Sequence, residues 1–171
     1  MEKGSVEAII TALNRSNVRY LVAGGLAVVA HGYLRFTADV DLIVDLERAN
    51  LGRAIEALDT LGYRPRAPVP FEQFAEPALR QQWVRDKGLT VFSLYSSEHP
   101  ATEIDLFVES PVDFDQAYVG ARWMEVAPGI TASFLGLADL LLLKRRSGRP
   151  QDLLDVDKLN AIAAQAKRND G

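Results

Sequence analysis

Three aspartates stand where strand periodicity would bring them together. Asp39 and Asp41 lie two residues apart in Asp39-Val40-Asp41-Leu42-Ile43-Val44, and Asp105 lies in Glu103-Ile104-Asp105-Leu106. The two-residue period of a strand puts Asp39 and Asp41 on one face with Ile43, and Val40, Leu42 and Val44 on the other. Glu103, Asp105 and Phe107 share a face by the same rule. If the two strands converge, three carboxylates meet at one sheet edge. Carboxylates crowded in a partly desolvated place repel one another and are tolerated chiefly when a divalent cation neutralises them. Oxygen-only ligands favour a hard ion, magnesium or manganese. Two such ions suit phosphoryl transfer, one binding a triphosphate and the other activating the attacking oxygen. For Asp39-Val40-Asp41 taken alone, a strand edge that shows polar residues to water is the plain alternative.

Other residues could serve the same chemistry. Gly24-Gly25 falls between an apolar strand run and a compact helical run. At such a turn small residues let a phosphate approach backbone N–H groups, and a helix N-terminus attracts the anion. A bare glycine pair is usually only a turn, so its weight comes from the metal-binding strand a short helix and loop later. Arg35 offers a planar fork of donors that suits triphosphate oxygens or an acidic partner equally well. Thr37 is placed to cap or orient the loop into Asp39. Lys144, Arg145, Arg146 and Arg149 form a basic cluster near a helix C-terminus, where positive charge is favoured in any case. The sharper reading is that Lys144 or Arg149 meets a triphosphate or an RNA backbone while Asp152 and Asp155 hold the basic side chains. His31 ends an apolar helix and reads as a packed histidine before a ligand. Asp113, Asp115, Trp83 and Trp123 carry no comparable pattern.

Ala23-Gly24-Gly25 followed by Asp39-Val40-Asp41-Leu42 resembles the pattern of the nucleotidyltransferase superfamily that includes DNA polymerase beta. The fuller string Gly24-Gly25-Leu26-Ala27, His31-Gly32, Arg35, Thr37 and Asp39-Val40-Asp41-Leu42 is similar to the branch containing bacterial AbiEii-type toxin nucleotidyltransferases, and to small antibiotic nucleotidyltransferases. The likeness extends to Glu103-Ile104-Asp105-Leu106 as a third acidic strand and to Lys144, Arg149, Asp152 and Asp155, covering roughly residues 19 to 157. The resemblance implies an α/β (α+β) nucleotidyltransferase fold, with a mixed sheet flanked by helices and a C-terminal helical pair. It implies transfer of a nucleoside monophosphate from a nucleoside triphosphate such as ATP to an acceptor that is RNA, protein or a small molecule. Asp39, Asp41 and Asp105 would bind two magnesium (or manganese) ions, the third acid serving as base for the acceptor hydroxyl. Gly24, Gly25, Arg35, Thr37 and Lys144 would bind the nucleotide. The toxin-like branch further implies an antitoxin partner. An antibiotic-modifying enzyme would instead need an acidic pocket, for which Glu72, Glu76 and Asp86 are the available residues. A noncatalytic module of the same fold, binding a nucleotide or a partner, is the reading from another class. The polymerase-type Gly-Ser is Gly-Gly here, which removes a hydroxyl that could touch a phosphate.

Positioning these residues takes a specific set of elements. Val6 to Leu13 has helical spacing, Tyr20 to Ala23 reads as a buried strand, and Leu26 to Ala30 as a buried helix ending near Gly32. Asp39 to Val44 is the acid strand, and Asn50 to Leu61 a helix stopped by Gly62. Pro65, Pro68, Pro70 and Pro77 argue for an irregular insertion or lid over the site, with a helix near Ala78 to Arg85. Leu89 to Tyr95 and Thr102 to Val108 read as an antiparallel hairpin, and Trp123 to Val126 as a further strand. Leu137 to Lys144 and Leu153 to Ala166 are two helices joined by Ser147-Gly148-Arg149-Pro150.

Composition sets the bounds. A chain of 171 residues with 48% apolar and 25% charged residues fits one domain, 1–171, with core elements over 5–132 and C-terminal helices over 136–166. A frayed tail is expected from Lys167 to Gly171. With no cysteine and two histidines, disulfides, thiolate metal sites and histidine-rich sites are excluded, so metal chemistry must rest on carboxylates. The net charge of −4 argues against broad adhesion to nucleic acid. No apolar run approaches the ~18 residues of a membrane span, and Met1-Glu2-Lys3-Gly4 lacks the build of a signal peptide. A cytoplasmic protein is expected.

Overall fold

A computed structural model describes residues 2–169. Helix α1 (Lys3–Arg15) buries Ile9, Ile10 and Leu13, and it leads to the short internal strand β1 (Tyr20–Val22), buried throughout. Helix α2 (Gly24–Ala30) follows at once, so Gly24 and Gly25 are its first two residues and not a separate turn before it. Strand β2 (Asp39–Val44) matches the alternation of the sequence. Helix α3 (Arg48–Thr60) starts at Glu47, whose carboxylate accepts from the N–H groups of Ala49 and Asn50, and stops before Gly62, which has φ 79°.

The remaining strands are β3 (Arg64–Pro65), β4 (Val91–Tyr95), β5 (Glu103–Phe107), β6 (Arg122–Ala127) and β7 (Ile130–Phe134). They complete a seven-stranded mixed sheet in the order β3-β4-β5-β2-β1-β7-β6. β4 and β5 form the expected antiparallel hairpin, and β5 then lies parallel to β2. The sheet is flanked by helices, and helices α6 (Leu137–Ser147) and α7 (Pro150–Asn169) form the expected C-terminal pair. Gly148, with φ 65°, ends α6, and Pro150 opens α7. Lys167 to Asn169 continue α7 where a frayed tail was expected, the basic residues of the last turn matching the negative end of the helix dipole. Asp170, Gly171 and Met1 lie outside the described residues.

Strand β3, a two-residue edge strand, had no counterpart in the sequence reading, nor did helix α5 (Phe114–Val119) or strand β7. Helix α5 is short and begins at Asp113, whose side chain accepts from the Gln116 N–H. Strand β7 carries only one β-branched aliphatic residue, and it is buried through small residues, Ala132 and Ser133. Ser133 stays satisfied there by donating its hydroxyl to the Tyr20 carbonyl.

The proline-rich stretch is not a lid over the acids. It forms a 3₁₀ turn (Phe71–Ala75) and helix α4 (Pro77–Lys87), and Phe71, Phe74 and Trp83 close on Phe92 at centroid distances of 6.2, 5.1 and 5.3 Å. Phe92 alternates with the acid-facing Ser93, and it lies in register with Leu106, itself opposite Leu42. The stretch therefore covers the opposite, apolar face, where burying each large ring stabilises the fold by about 1.5–3 kcal/mol. Among the described residues no helix is long and apolar enough to cross a membrane.

Candidate active site

Strand register assembles the acids. In the parallel pair β2·β5, Asp39 is opposite Glu103 and Asp41 opposite Asp105; in the antiparallel pair β4·β5, Ser93 is opposite Asp105. Directly paired residues share a face, with neighbouring strands about 4.8 Å apart. Ser93, Asp105 and Asp41 thus make a row across three strands, and Asp39 and Glu103 sit one step along the same face. Val40, Leu42, Ile104 and Leu106 point the other way and are fully buried. The three aspartates singled out in the sequence do meet on one face of adjacent strands.

Their charges are held uneasily. Burial, reinforced by repulsion from Asp105 and Asp39, pushes the Asp41 carboxyl up to about 6, against the opposing pull of Lys144 and the Gly25 N–H. Asp39 is raised as well, by burial first and then by Asp105 and Glu103. Glu103 is offset by Arg66, whose guanidinium grips both its oxygens and lies 5.6 Å over the Tyr95 ring. Among the described residues no group of three or more acidic, histidine or cysteine side chains is placed to hold a metal ion. Asp41 turns toward the α2 turn, and Asp105 toward Ser93, whose hydroxyl donates to Asp105 Oδ1 at 2.5 Å.

The glycine pair makes this packing possible. Gly24 has φ 56°, and a Cβ there would lie 1.8 Å from Asp41 Oδ2; a Cβ on Gly25 would lie 2.3 Å from Thr37 Oγ1. Both glycines are therefore demanded by the close approach of β2 and the segment before it. The space beside them holds protein side chains, Asp41 and Thr37, where the sequence suggested an open phosphate cradle. Thr37 Oγ1 is 3.5 Å from the Asp39 carbonyl, in keeping with a role in orienting the loop.

Arg35 and Lys144 meet on α7. Asp155, wholly buried, has one oxygen 2.9 Å from Lys144 Nζ and 3.0 Å from Arg35 Nη2, and its other oxygen 3.0 Å from Arg35 Nε. Arg35 Nε is close enough for ion pairing but lacks a properly aligned hydrogen bond. Lys144, 7% exposed, also donates to Asp152 at 2.6 Å, and Ser147 donates to the other Asp152 oxygen. Burial works against the charge of Asp152, but these hydrogen bonds hold its carboxyl below the usual range. Arg35 is thus the acid-pairing arginine, and Lys144 is a buried residue and not part of a solvated helix end, whereas Arg145, Arg146 and Arg149 are exposed.

His31 is a packed histidine: it is buried, its Nε2–H donates to the Leu135 carbonyl at 2.8 Å, and burial lowers its ring from the ordinary value. Glu76 pairs with Arg48 and Asp86 with Arg85, and both lie with Glu72 in the stretch that covers the apolar face. Sequence reasoning missed Ser93. The alternation Phe92-Ser93-Leu94 sets it on the acid face, but only the register shows which acid it meets. The chain matches no family model and no curated protein.

Proposed function

We propose that the protein is a divalent-metal-dependent nucleotidyltransferase, moving a nucleoside monophosphate from a nucleoside triphosphate to a hydroxyl acceptor. The observation that carries this reading is the acid face itself: Asp39, Asp41 and Asp105 on paired strands, with Asp41 half-buried and repelled by its neighbours. The donor set is all carboxylate oxygen, which fits magnesium or manganese and not a softer ion. Bound by Asp39, Asp41 and Asp105, such an ion would supply charge neutralisation and Lewis acidity toward the phosphates. On the other side of Asp41, Gly24 and Gly25 are packed against Asp41 and Thr37, and Arg35 and Lys144 are paired with Asp155 and Asp152, so these four residues support the acid strand in place of binding the triphosphate directly. Asp105, next to β4, takes the proton of the acceptor hydroxyl. The acceptor oxygen forms its bond to the α-phosphorus, the bond from that phosphorus to the bridging oxygen breaks, and pyrophosphate leaves with the electron pair. Most of the rate in such a reaction comes from positioning and electrostatics, which are what this arrangement offers.

Beyond the three aspartates, Glu103 on this face is paired with Arg66 and so is not free to hold a cationic drug. To test the reading, purified protein with magnesium and α-³²P-labelled nucleoside triphosphates is offered bulk transfer RNA, casein and an aminocyclitol antibiotic. Label should enter one class, and Asp39→Asn, Asp41→Asn and Asp105→Asn should each cut transfer by at least about 10²-fold. Unchanged labelling by Asp41→Asn, or labelling that survives a chelator, would remove the proposal.

A further inference from the structure

We propose that Ser93 is a positioning residue for Asp105, its hydroxyl fixing one carboxylate oxygen so that the other is presented to the acceptor. This rests on the nucleotidyl-transfer reading of the acid face and adds a residue to it. Ser93 is directly opposite Asp105 in the β4·β5 register and donates to Oδ1 at 2.5 Å, a length typical of a hydroxyl on a charged carboxylate. Among the described residues, Asp105 alone of the three acids receives a side-chain hydrogen bond; Asp41 is oriented by the α2 turn and Asp39 has no side-chain donor. The asymmetry matters because Asp41 lies directly across from Asp105 in the parallel register. Two like charges in that relation push apart, which for Asp105 is toward β4. Ser93, on that side of β5, fixes one oxygen there, so that the carboxylate keeps a single orientation. Its strand lies on the opposite side of β5 from β2, so it touches none of Gly24, Gly25, Arg35 or Lys144. The hydroxyl therefore acts on the base and leaves the nucleotide side alone.

Ser93→Ala, Ser93→Thr and wild type are compared by steady-state transfer to whichever of the three acceptors the wild type labels, with thermal melts to confirm folding. Ser93→Ala should lower kcat about ten- to a hundredfold, as expected when a reacting group is loosened by about 1 Å, with KM for the triphosphate within about twofold. Ser93→Thr, which restores the hydroxyl on a residue suited to a strand, should recover most of kcat. A Ser93→Ala enzyme with wild-type kcat, one impaired only through the KM for triphosphate, or a Thr variant no better than Ala each overturns the role of Ser93 while leaving the transferase reading in place. A folded wild type that labels nothing overturns both, and the wild-type reaction distinguishes the two failures.

Discussion

Asp41 is the residue whose environment argues most directly against its own charge. Its carboxyl is largely enclosed, faces Asp105 across the strand pair, and titrates near 6 where an ordinary aspartate titrates at 3.8. The folded protein therefore holds a proton on Asp41 at pH values where the unfolded chain has released it. The sign follows: stability falls as pH rises from about 4 through about 6 and levels off above, where the ion must be carried uncompensated. Asp41→Asn keeps the shape and an oxygen for the Gly25 N–H but removes the charge. Without metal at pH 7.5 it should be more stable than wild type by on the order of 1–3 kcal/mol, or several degrees in Tm, with the gain fading toward pH 4. The check is a pair of thermal melts at the two pH values in the presence of a chelator. A variant that melts no higher than wild type at pH 7.5 would mean that the carboxylate sits there without strain. The same substitution should abolish transfer, so stability and activity move in opposite directions at one atom.

At the scale of elements, α7 is what joins the C-terminal pair to the acid corner, through Asp155 to Lys144 and Arg35. Removing one member of a buried ion cluster leaves its partners charged and unpaired, which typically costs 3–5 kcal/mol. Asp155→Asn should lower the urea midpoint by an amount equivalent to about 3 kcal/mol, whereas Asp157→Asn, exposed on the same helix, should stay within about 0.5 kcal/mol. Equal effects would mean that α7 is held by its apolar face alone. The helix pair was legible in sequence from Gly148 and Pro150, and the acid strands from strict alternation, because both signals are local and chemically specific. Strand β7 was not, since Ala132 and Ser133 are buried by the place of the strand between β1 and β6 and not by their own hydrophobicity. The prolines before α4 signalled irregular backbone correctly but said nothing of which sheet face it covers. That was decided by Phe71, Phe74 and Trp83 finding Phe92. Lys144 shows the same limit: the basic residues of Lys144-Arg145-Arg146 look alike until α7 selects one to bury.

Across the whole molecule, the charges around the site divide into a closed set and an open one. Arg35 and Lys144 are matched by Asp152 and Asp155, and Arg66 by Glu103, so the imbalance rests on Asp39, Asp41 and Asp105. An ion with its triphosphate, held as proposed, would bind only the folded arrangement of these three, since unfolding scatters residues 39, 41 and 105 along the chain. Folding and loading are therefore linked by mass action, and a ligand at about 100 times its Kd adds about 2.7 kcal/mol. For a chain of this length that corresponds to a rise in Tm of about 5–10 °C. Magnesium with a nonhydrolysable ATP analogue should produce such a rise in wild type, magnesium alone a smaller one, and the analogue with a chelator almost none. In Asp41→Asn the same additions should leave Tm nearly where it began, above unloaded wild type, so that loading reverses the order of the two proteins. A rise of equal size in Asp41→Asn, or one that persists in the chelator, would mean that the nucleotide stabilises the fold from some place other than the acid face. The reversal is the informative outcome because a general effect of salt or nucleotide on the surface would move both proteins together.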